Sequence, residues 1–479
     1  MKKRLLLGWS IAACAVFAIP LPLFAQSTIV WNGAGDGTTF EDPANWVGGV
    51  VPGNGDTADI GANTVDINSG TVGFSIIGTG GITYDNGGNV EYNVNDNTYS
   101  GGTLVDGTTI RLNDGGGEDH LGTGTITLDN GGALMNRNTS LGVNNDIILG
   151  AGGGAVNVGW NGRVITLNGD VSGTGLLTVG NDSSTLRLEG ANNTYSGGTV
   201  IEGFVQAEDA TLGTGAITLD NVSGEANRGV LQNRNPGADV FANDLIVTAN
   251  GGQLQAGWGT LLEIQGVASG SGQLNIREDS GTVVLNNSGN TFSGDIVLDG
   301  VNSRLSVATL ESGSYDGVIS GDGTFTITDS LNLEGDNTIT GVTTVTSSGI
   351  LGGDGSIDGD LVIDAGGQLV FDGTTNTPLS VAGSVTLDST FGVDDLVGLT
   401  SSTAVGTYAL IDETATVFAS GGIENFGAAN AFDLGNGNLA FFEEGLNLVV
   451  FNAAVVPEPS SLAIVGLLGM GLVSRRRRS

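Results

Sequence analysis

The sequence predicts an all-β protein, a parallel β-helix (β-solenoid) between N- and C-terminal β caps. Short segments such as "TIRLND" from Thr109 and "AITLDN" from Ala216 alternate apolar and polar residues, as strands with one buried face do. A motif also recurs: "NTYSGGTLV" begins at Asn97, and related copies begin 96, 97 and 47 residues further along in turn, at Asn193, Asn290 and Asn337. Repeats and short strands together favour a stacked architecture.

The repeat interval selects the solenoid among the β architectures. Strands every ten or so residues also suit a sandwich, a barrel or a propeller. A three-sided coil uses roughly 20–25 residues, so the long interval is about four coils and the short one about two. Residues 61–387 hold room for roughly 13 coils, a rod of about 60 Å at ~4.8 Å per coil.

Composition limits the partners of this chain. The net charge is −36, with 84 glycines. Setting aside the basic residues at both termini and Glu458 leaves eight arginines, no lysine and 50 acids in the body. Such a surface repels nucleic acid and anionic lipid headgroups, and favours cations or neutral surfaces. The many Val, Ile and Leu residues argue against disorder.

The N-terminal segment 1–25 reads as a secretory signal peptide, with cleavage after Ala25. The alternative is a lipoprotein signal at Cys14, which the continuing apolar run after that residue disfavours. Cys14 is the one cysteine, so the folded body is expected to contain no disulfide and no thiol site.

Aromatic residues mark the two caps. Residues 26–60 resemble the module that opens many secreted repeat proteins, with Trp31, Trp46 and Pro52 at matching positions and Phe40 where tryptophan is more usual. We expect these aromatics to cover the first coil. Residues 388–455 are richer in Phe, lack the repeat, and are expected to form the closing β cap.

The C-terminal segment 456–479 contains a short apolar run, 462–473, between two polar motifs. The run is shorter than the ~20 residues of a membrane-spanning helix, so a short hydrophobic helix is expected. The first motif is Val456, Pro457, Glu458 and Pro459, and the second is the basic membrane stop Arg475, Arg476, Arg477 and Arg478.

This order closely resembles the PEP-CTERM sorting signal of bacterial surface proteins. The resemblance implies that an exosortase recognises the Pro-Glu-Pro segment, after the tail has anchored the chain transiently in the inner membrane. The alternative is an ordinary weak membrane anchor.

The repeat itself resembles the passenger-associated repeat of autotransporters, which implies a stem that is a right-handed parallel β-helix. The copies at Asn97 and Asn193 match well and the two later copies poorly. No ten-residue lipid-facing strands follow, so we expect export by another route.

Candidate chemistry is sparse. His120 is the only histidine and reads as an exposed loop residue. The Asp/Gly-rich segments 33–42 and 352–360 suit a hard cation but lack the EF-hand pattern, so we expect tight turns and no cofactor, with weak calcium binding to the acidic surface as the alternative. Trp160 and Trp258 occupy matching positions, where packing is favoured over stacking on sugars.

The predicted function is therefore a non-enzymatic one. We expect an exported cell-surface or extracellular-matrix protein, structural or adhesive, associated with exopolysaccharide or a biofilm. The alternative is a β-helix polysaccharide lyase or hydrolase, since 50 acids leave room for a catalytic carboxylate pair.

Overall fold

The computed structural model describes most of the chain between Ser27 and Ala453. The described residues are 27–453 without 69, 86, 95, 114–119, 137–139, 160–161, 181–184, 210, 226, 235–236, 258, 278–280, 312–313, 375–376, 389, 413–415 and 420.

Within these residues the chain forms a parallel β-solenoid of about 14 turns. Each strand of the stacked coils pairs in parallel with the equivalent strand of the next coil, so the sheets run along the rod. The all-β solenoid prediction is confirmed, whereas right-handed coiling stays a prediction. The expected hydrophobic helix at 462–473 lies outside the described residues.

Four sheets, A to D, form most of the rod, and the strands of each follow one another along it in chain order. Sheet A consists of Val65–Asp66, Ile82–Tyr84, Thr103–Asp106, Ile126–Asp129, Ile147–Leu149 and Val171–Gly173. Sheet B consists of Thr71–Val72, Asn89–Tyr92, Thr109–Leu112, Gly132–Asn136, Gly154–Val158, Leu177–Val179, Thr199–Ile201, Ile217–Leu219, Leu245–Val247, Ala268–Gly270 and Thr291–Phe292. Sheet C consists of Leu141–Val143, Val164–Leu167, Thr185–Leu188, Phe204–Ala207, Val230–Asn233, Gly252–Gln255, Leu274–Arg277, Ile296–Asp299, Ile319–Gly321 and Thr338–Ile339. Sheet D consists of Ala238–Phe241, Leu261–Ile264, Thr282–Leu285, Arg304–Val307, Thr324–Ile327, Thr343–Val345, Leu361–Ile363, Ser384–Leu387 and Thr416–Ala419.

Smaller sheets complete the two ends. Sheet E consists of Ser330–Asn332, Ile350–Gly352, Gln368–Val370 and Leu396–Val397, and Ser356–Ile357 pairs with Ser380–Val381. The first sheet of the chain is parallel and consists of Thr28–Val30, Thr57–Asp59 and Ser75–Ile77. The last is antiparallel, with spatial order Gly406–Ala409, Asn447–Asn452, Asn438–Glu443 and Phe432–Gly435. The described helices are three single-turn 3₁₀ segments, Pro43–Asn45, Val393–Asp395 and Ala428–Asn430.

The core is a column of aliphatic side chains enclosed by the sheets. In sheet A, for example, Ile126 is in register with Ile147, which is in register with Val171, and all three are buried. Because strands are parallel and in register, alternation keeps the same face of every strand inside. No helix in the described part of the chain is long and apolar enough to span a membrane.

The sequence repeat is out of phase with the coil. The strands that follow the repeat asparagines are Thr103–Asp106, Thr199–Ile201, Ile296–Asp299 and Thr343–Val345. They belong in turn to sheets A, B, C and D. Equivalent residues of successive repeats therefore lie on successive faces of the rod and not in one stripe.

The N-terminal aromatics pack together at the first coil. The rings of Trp31 and Phe40 each contact Trp46 edge-on, at 4.9 and 4.8 Å between centroids, and Phe40 stacks on Phe74 at 4.7 Å. The Trp46 indole donates a hydrogen bond to the Phe40 carbonyl at 2.7 Å. These contacts give the first coil an apolar cover.

Candidate functional site at the coil corners and in a carboxylate-lined cleft

Three of the four repeat asparagines each join three successive coils. Asn290 Oδ1 accepts the Ala268 amide hydrogen from the preceding coil at 2.7 Å, and its Nδ2 donates to the Thr309 carbonyl of the next at 2.8 Å. Asn97 and Asn193 make the same two bonds with their own neighbours. All three side chains are buried, so the motif is a structural clamp.

A tyrosine–threonine pair accompanies the first two clamps. The Tyr99 hydroxyl lies 2.7 Å from Thr103 Oγ1, and Tyr195 lies at the same distance from Thr199. Burial raises the pKa of both tyrosines. In the fourth copy isoleucine replaces the tyrosine, and the buried hydroxyl of Thr343 has no hydrogen-bond partner within the described residues.

The "SG" segments of the repeat contain a glycine that the fold requires. Gly173, Gly270 and Gly321 all have φ near +110° (108°, 110° and 108°). A Cβ on Gly321 would lie 2.1 Å from the Leu298 carbonyl oxygen one coil earlier. Close stacking of coils and the left-handed backbone together exclude any side chain here.

Aspartates at the coil corners form a second ladder, which the sequence analysis missed. Each accepts, through Oδ1, a backbone amide hydrogen from the next coil at 2.8 to 3.0 Å. These corner aspartates are Asp146, Asp170, Asp244, Asp295 and Asp360. Each directly precedes an apolar strand, and that pattern was the available signal. Five of the acidic side chains thus stabilise the coil corners.

His120 is not the exposed loop residue that the sequence analysis expected. His120 is only 2% exposed and precedes the buried residue Leu121. Its backbone carbonyl accepts the 2.6 Å hydrogen bond from Asn97 Nδ2. The repeat clamp therefore holds this residue inside.

In the Asp/Gly-rich segments 33–42 and 352–360, Asp36 and Asp360 form hydrogen bonds within the fold. A hydrogen bond with the Thr39 side chain has the largest effect in lowering the pKa of Asp36. Asp36 Oδ1 also accepts hydrogen bonds from the Thr38 and Thr39 amides and from Asn45 Nδ2, which lower this pKa further. Asp360 Oδ1 accepts both the amide and the hydroxyl hydrogens of Ser384. Within the described residues no cluster of three or more His, Cys, Asp or Glu side chains is placed to hold a metal.

A cleft of about 440 Å³ opens near the C-terminal end of the solenoid. Glu334, Asp354 and Asp372 line it, each two residues after a strand of sheet E. Parallel register therefore brings the three carboxylates together at one corner, one per coil. The cleft is also lined by Phe371 and Tyr408, whose rings meet edge-on at 5.0 Å.

The side chains of Glu334 and Asp354 interact with each other. A side-chain hydrogen bond with Asp354, followed by desolvation, raises the pKa of Glu334. Such a bond requires a proton on one of the two carboxyl groups. Glycosidase pairs stand about 5–5.5 Å or 6.5–9.5 Å apart, to hold a sugar or a water between them. Direct contact between the carboxyls leaves no such space.

Several predicted site residues lie outside the described part of the chain. They are Ala25, Trp160, Trp258, Val456, Pro457, Glu458, Pro459 and Arg475 to Arg478. Their structural roles stay predictions.

Two comparisons with known proteins bear on these regions. Residues 455–478 match the model of the PEP-CTERM protein-sorting motif, so the C-terminus contains this motif. A stretch of 164 residues, 32% of this chain, is 32% identical to the Adhesin BmaC autotransporter of Brucella suis biovar 1 (strain 1330). The match spans 4% of the length of that protein. The predicted sorting motif and the likeness to autotransporters are both confirmed.

Proposed function

We propose that this chain is a structural or adhesive rod, which an exosortase delivers to the cell surface or the extracellular matrix. The observation that carries the proposal is the sorting motif that follows a long β-solenoid. A relative named as an adhesin supports a role in attachment. The hydrogen-bonded clamps and corner aspartates suit a rigid spacer.

The finer proposal is that the rod binds neutral exopolysaccharide within a biofilm. A body with 50 acids and eight arginines disfavours polyanions, and leaves neutral partners bound through hydrogen bonds. Cosedimentation of the secreted protein with purified exopolysaccharide from the same cells tests this step. A protein that stays in the supernatant at every polysaccharide concentration contradicts it.

Sorting is tested by the intact mass and the location of the protein, in cells with and without the exosortase. We expect a chain ending near Val456 at the surface or in the medium only when the enzyme is present. Pro457→Ala combined with Pro459→Ala should leave the full C-terminus in the inner membrane, while the control Ser460→Ala should be processed normally. A full-length, membrane-held chain in both strains would overturn the proposal.

The second candidate is a polysaccharide lyase or hydrolase acting in the cleft of Glu334 and Asp354. The cleft and the raised pKa of Glu334 favour this candidate, and the hydrogen bond between the two carboxyls disfavours it. The test is release of reducing or unsaturated ends from exopolysaccharide. Activity that Glu334→Gln abolishes, in a variant that keeps its melting temperature, would replace the scaffold proposal.

A further inference from the structure

The outer face of sheet D contains a strip of uncharged residues. Leu305, Phe325 and Leu361 point into the core, so strand alternation turns their neighbours outward. The neutral strip consists of Ser306, Thr324, Thr326, Val342, Thr344 and Val362. Val342 is 36% exposed. No hydrogen bond to another described residue occupies the hydroxyls of Thr326 and Thr344, so this surface is free to meet a partner.

Charges of opposite sign lie at the two ends of one column of the neutral strip. Register places Arg304 beside Thr324, Thr324 beside Val342, and Val342 beside Asp360. Arg304 and Asp360 thus belong to one column but lie three strands apart, about 14 Å, which is too far for a salt bridge.

Arg304 also lacks an acidic partner elsewhere. It is exposed and makes no salt bridge to any residue that the structure describes, whereas Arg111, Arg228 and Arg234 each pair with a glutamate. The Arg304 guanidinium is therefore available to a carboxylate of another molecule. Asp360 is exposed too, and its hydrogen bonds to Ser384 use Oδ1, which leaves Oδ2 facing solvent.

This arrangement is self-complementary under a two-fold rotation. Consider an axis parallel to the strands, in the plane of the interface, midway between Thr324 and Val342. Rotation about it lays a second rod antiparallel on the first and reverses the order of the column. Arg304 then faces the second copy's Asp360, and Asp360 faces its Arg304, while the neutral strips lie against each other. A two-fold interface of this kind is closed and stops at the dimer.

We propose that two copies of this chain associate face to face through the neutral strip of sheet D, joined at both ends by Arg304–Asp360 pairs. This goes beyond the proposed function, since a single rod would be sorted and would adhere in the same way. The uncharged face lets the acidic bodies approach, because at physiological salt charges more than ~8 Å apart are largely screened. A narrow sheet face buries less surface area than a standard interface, so the dimer is a weak one.

The experiment is sedimentation velocity of the protein purified from the secreting cells, at physiological salt and across the micromolar range. The variants are Arg304→Glu, Asp360→Arg and the double charge swap. Either single variant should weaken dimerisation by more than about tenfold, since each sets like charges against each other twice per dimer. The double swap should restore it. The control Arg277→Glu changes the net charge equally but lies on sheet C, and it should dimerise normally.

Three results would overturn the proposal. A wild-type protein that stays monomeric at the highest concentration excludes the dimer. If Arg304→Glu leaves dimerisation unchanged, the dimer forms through another face of the rod. A double swap that fails to recover, although it remains folded at the temperature of the experiment, excludes the Arg304–Asp360 pairing.

Discussion

At the scale of single residues, the solenoid depends on side chains that satisfy buried backbone groups between coils. Asn290 is the clearest case, since its amide bonds one buried amide hydrogen and one buried carbonyl on opposite sides. A buried polar group that loses its partner costs roughly 1–3 kcal/mol. Each clamp therefore contributes to stability through the groups it satisfies.

Asn290→Ala should lower the free energy of unfolding by about 2–4 kcal/mol, because it leaves both backbone partners unsatisfied. Urea denaturation of wild type and variant measures this change. The control Asn168→Ala removes one hydrogen bond of an exposed side chain, to Asn144, and should have an effect below about 0.5 kcal/mol. Equal losses for the two variants would contradict the clamp.

Thr343→Val should stabilise the protein by about 1 kcal/mol, because the buried hydroxyl has no partner in the described structure. Thr103→Val should destabilise it by about 1–2 kcal/mol, since Thr103 bonds the Tyr99 hydroxyl and the Leu121 carbonyl. Chemical denaturation of both variants checks the opposite signs. A loss of stability in Thr343→Val would mean that the hydroxyl finds a partner in solution.

Gly321→Ala should cost about 3 kcal/mol or more, because the new Cβ would overlap the Leu298 carbonyl in a left-handed backbone. The control Gly237→Ala adds a methyl group where nothing lies within 4 Å. Its melting temperature should match that of wild type. A tolerated Gly321→Ala would show that the coils can separate locally.

At the scale of elements, successive coils bring like-charged corners into contact. Strand register alone places Glu334, Asp354 and Asp372 at one corner of sheet E. A hydrogen bond to a second carboxyl favours the protonated form of Glu334, whereas donors favour the ionised form of Asp360. The two corners therefore respond to pH in opposite directions.

The raised pKa of Glu334 means that the folded state holds this proton more tightly than the unfolded state. Its contribution to stability is greatest below the ordinary glutamate pKa and falls as pH rises through the raised value. Glu334→Gln should therefore raise the melting temperature at pH 7.5 and lose that advantage near pH 4. Melting curves at both pH values check the sign, and a variant less stable than wild type at pH 7.5 would contradict it.

The contribution of Asp360 to stability depends on pH with the opposite sign. Its pKa is lowered, mainly by the Ser384 amide and then by the Ser384 hydroxyl, so its contribution is present above the ordinary aspartate pKa. That contribution disappears as pH falls through the lowered value.

At the scale of the whole molecule, about 14 parallel coils predict an elongated particle. At ~4.8 Å per coil the solenoid is about 67 Å long. Small-angle scattering of the secreted protein should give a rod-like distance distribution with a maximum somewhat above this length. A compact, near-spherical distribution would contradict the extended stack.

Much of this architecture could be predicted from the sequence, because its signals lie in residues that are neighbours in the chain. Alternation in "AITLDN" indicates a strand with one buried face. The glycine of "SG" indicates a backbone conformation that residues with a side chain rarely adopt. Both signals come from neighbouring residues. The buried His120 was predicted wrongly, because its burial depends on Asn97, 23 residues earlier in the chain.

The sequence by itself determined the alternating pattern of the strands, the repeat and the sorting motif, since each depends only on residues that are adjacent in the chain. Only the tertiary structure decided how the repeat is phased against the coil. The number of residues in every turn sets that phase, and it moves equivalent strands from sheet A to sheet D. The same stacking places Glu334 against Asp354, and separates Arg304 from Asp360 by three strands on one face. Such contacts join residues of different coils, which no local pattern encodes.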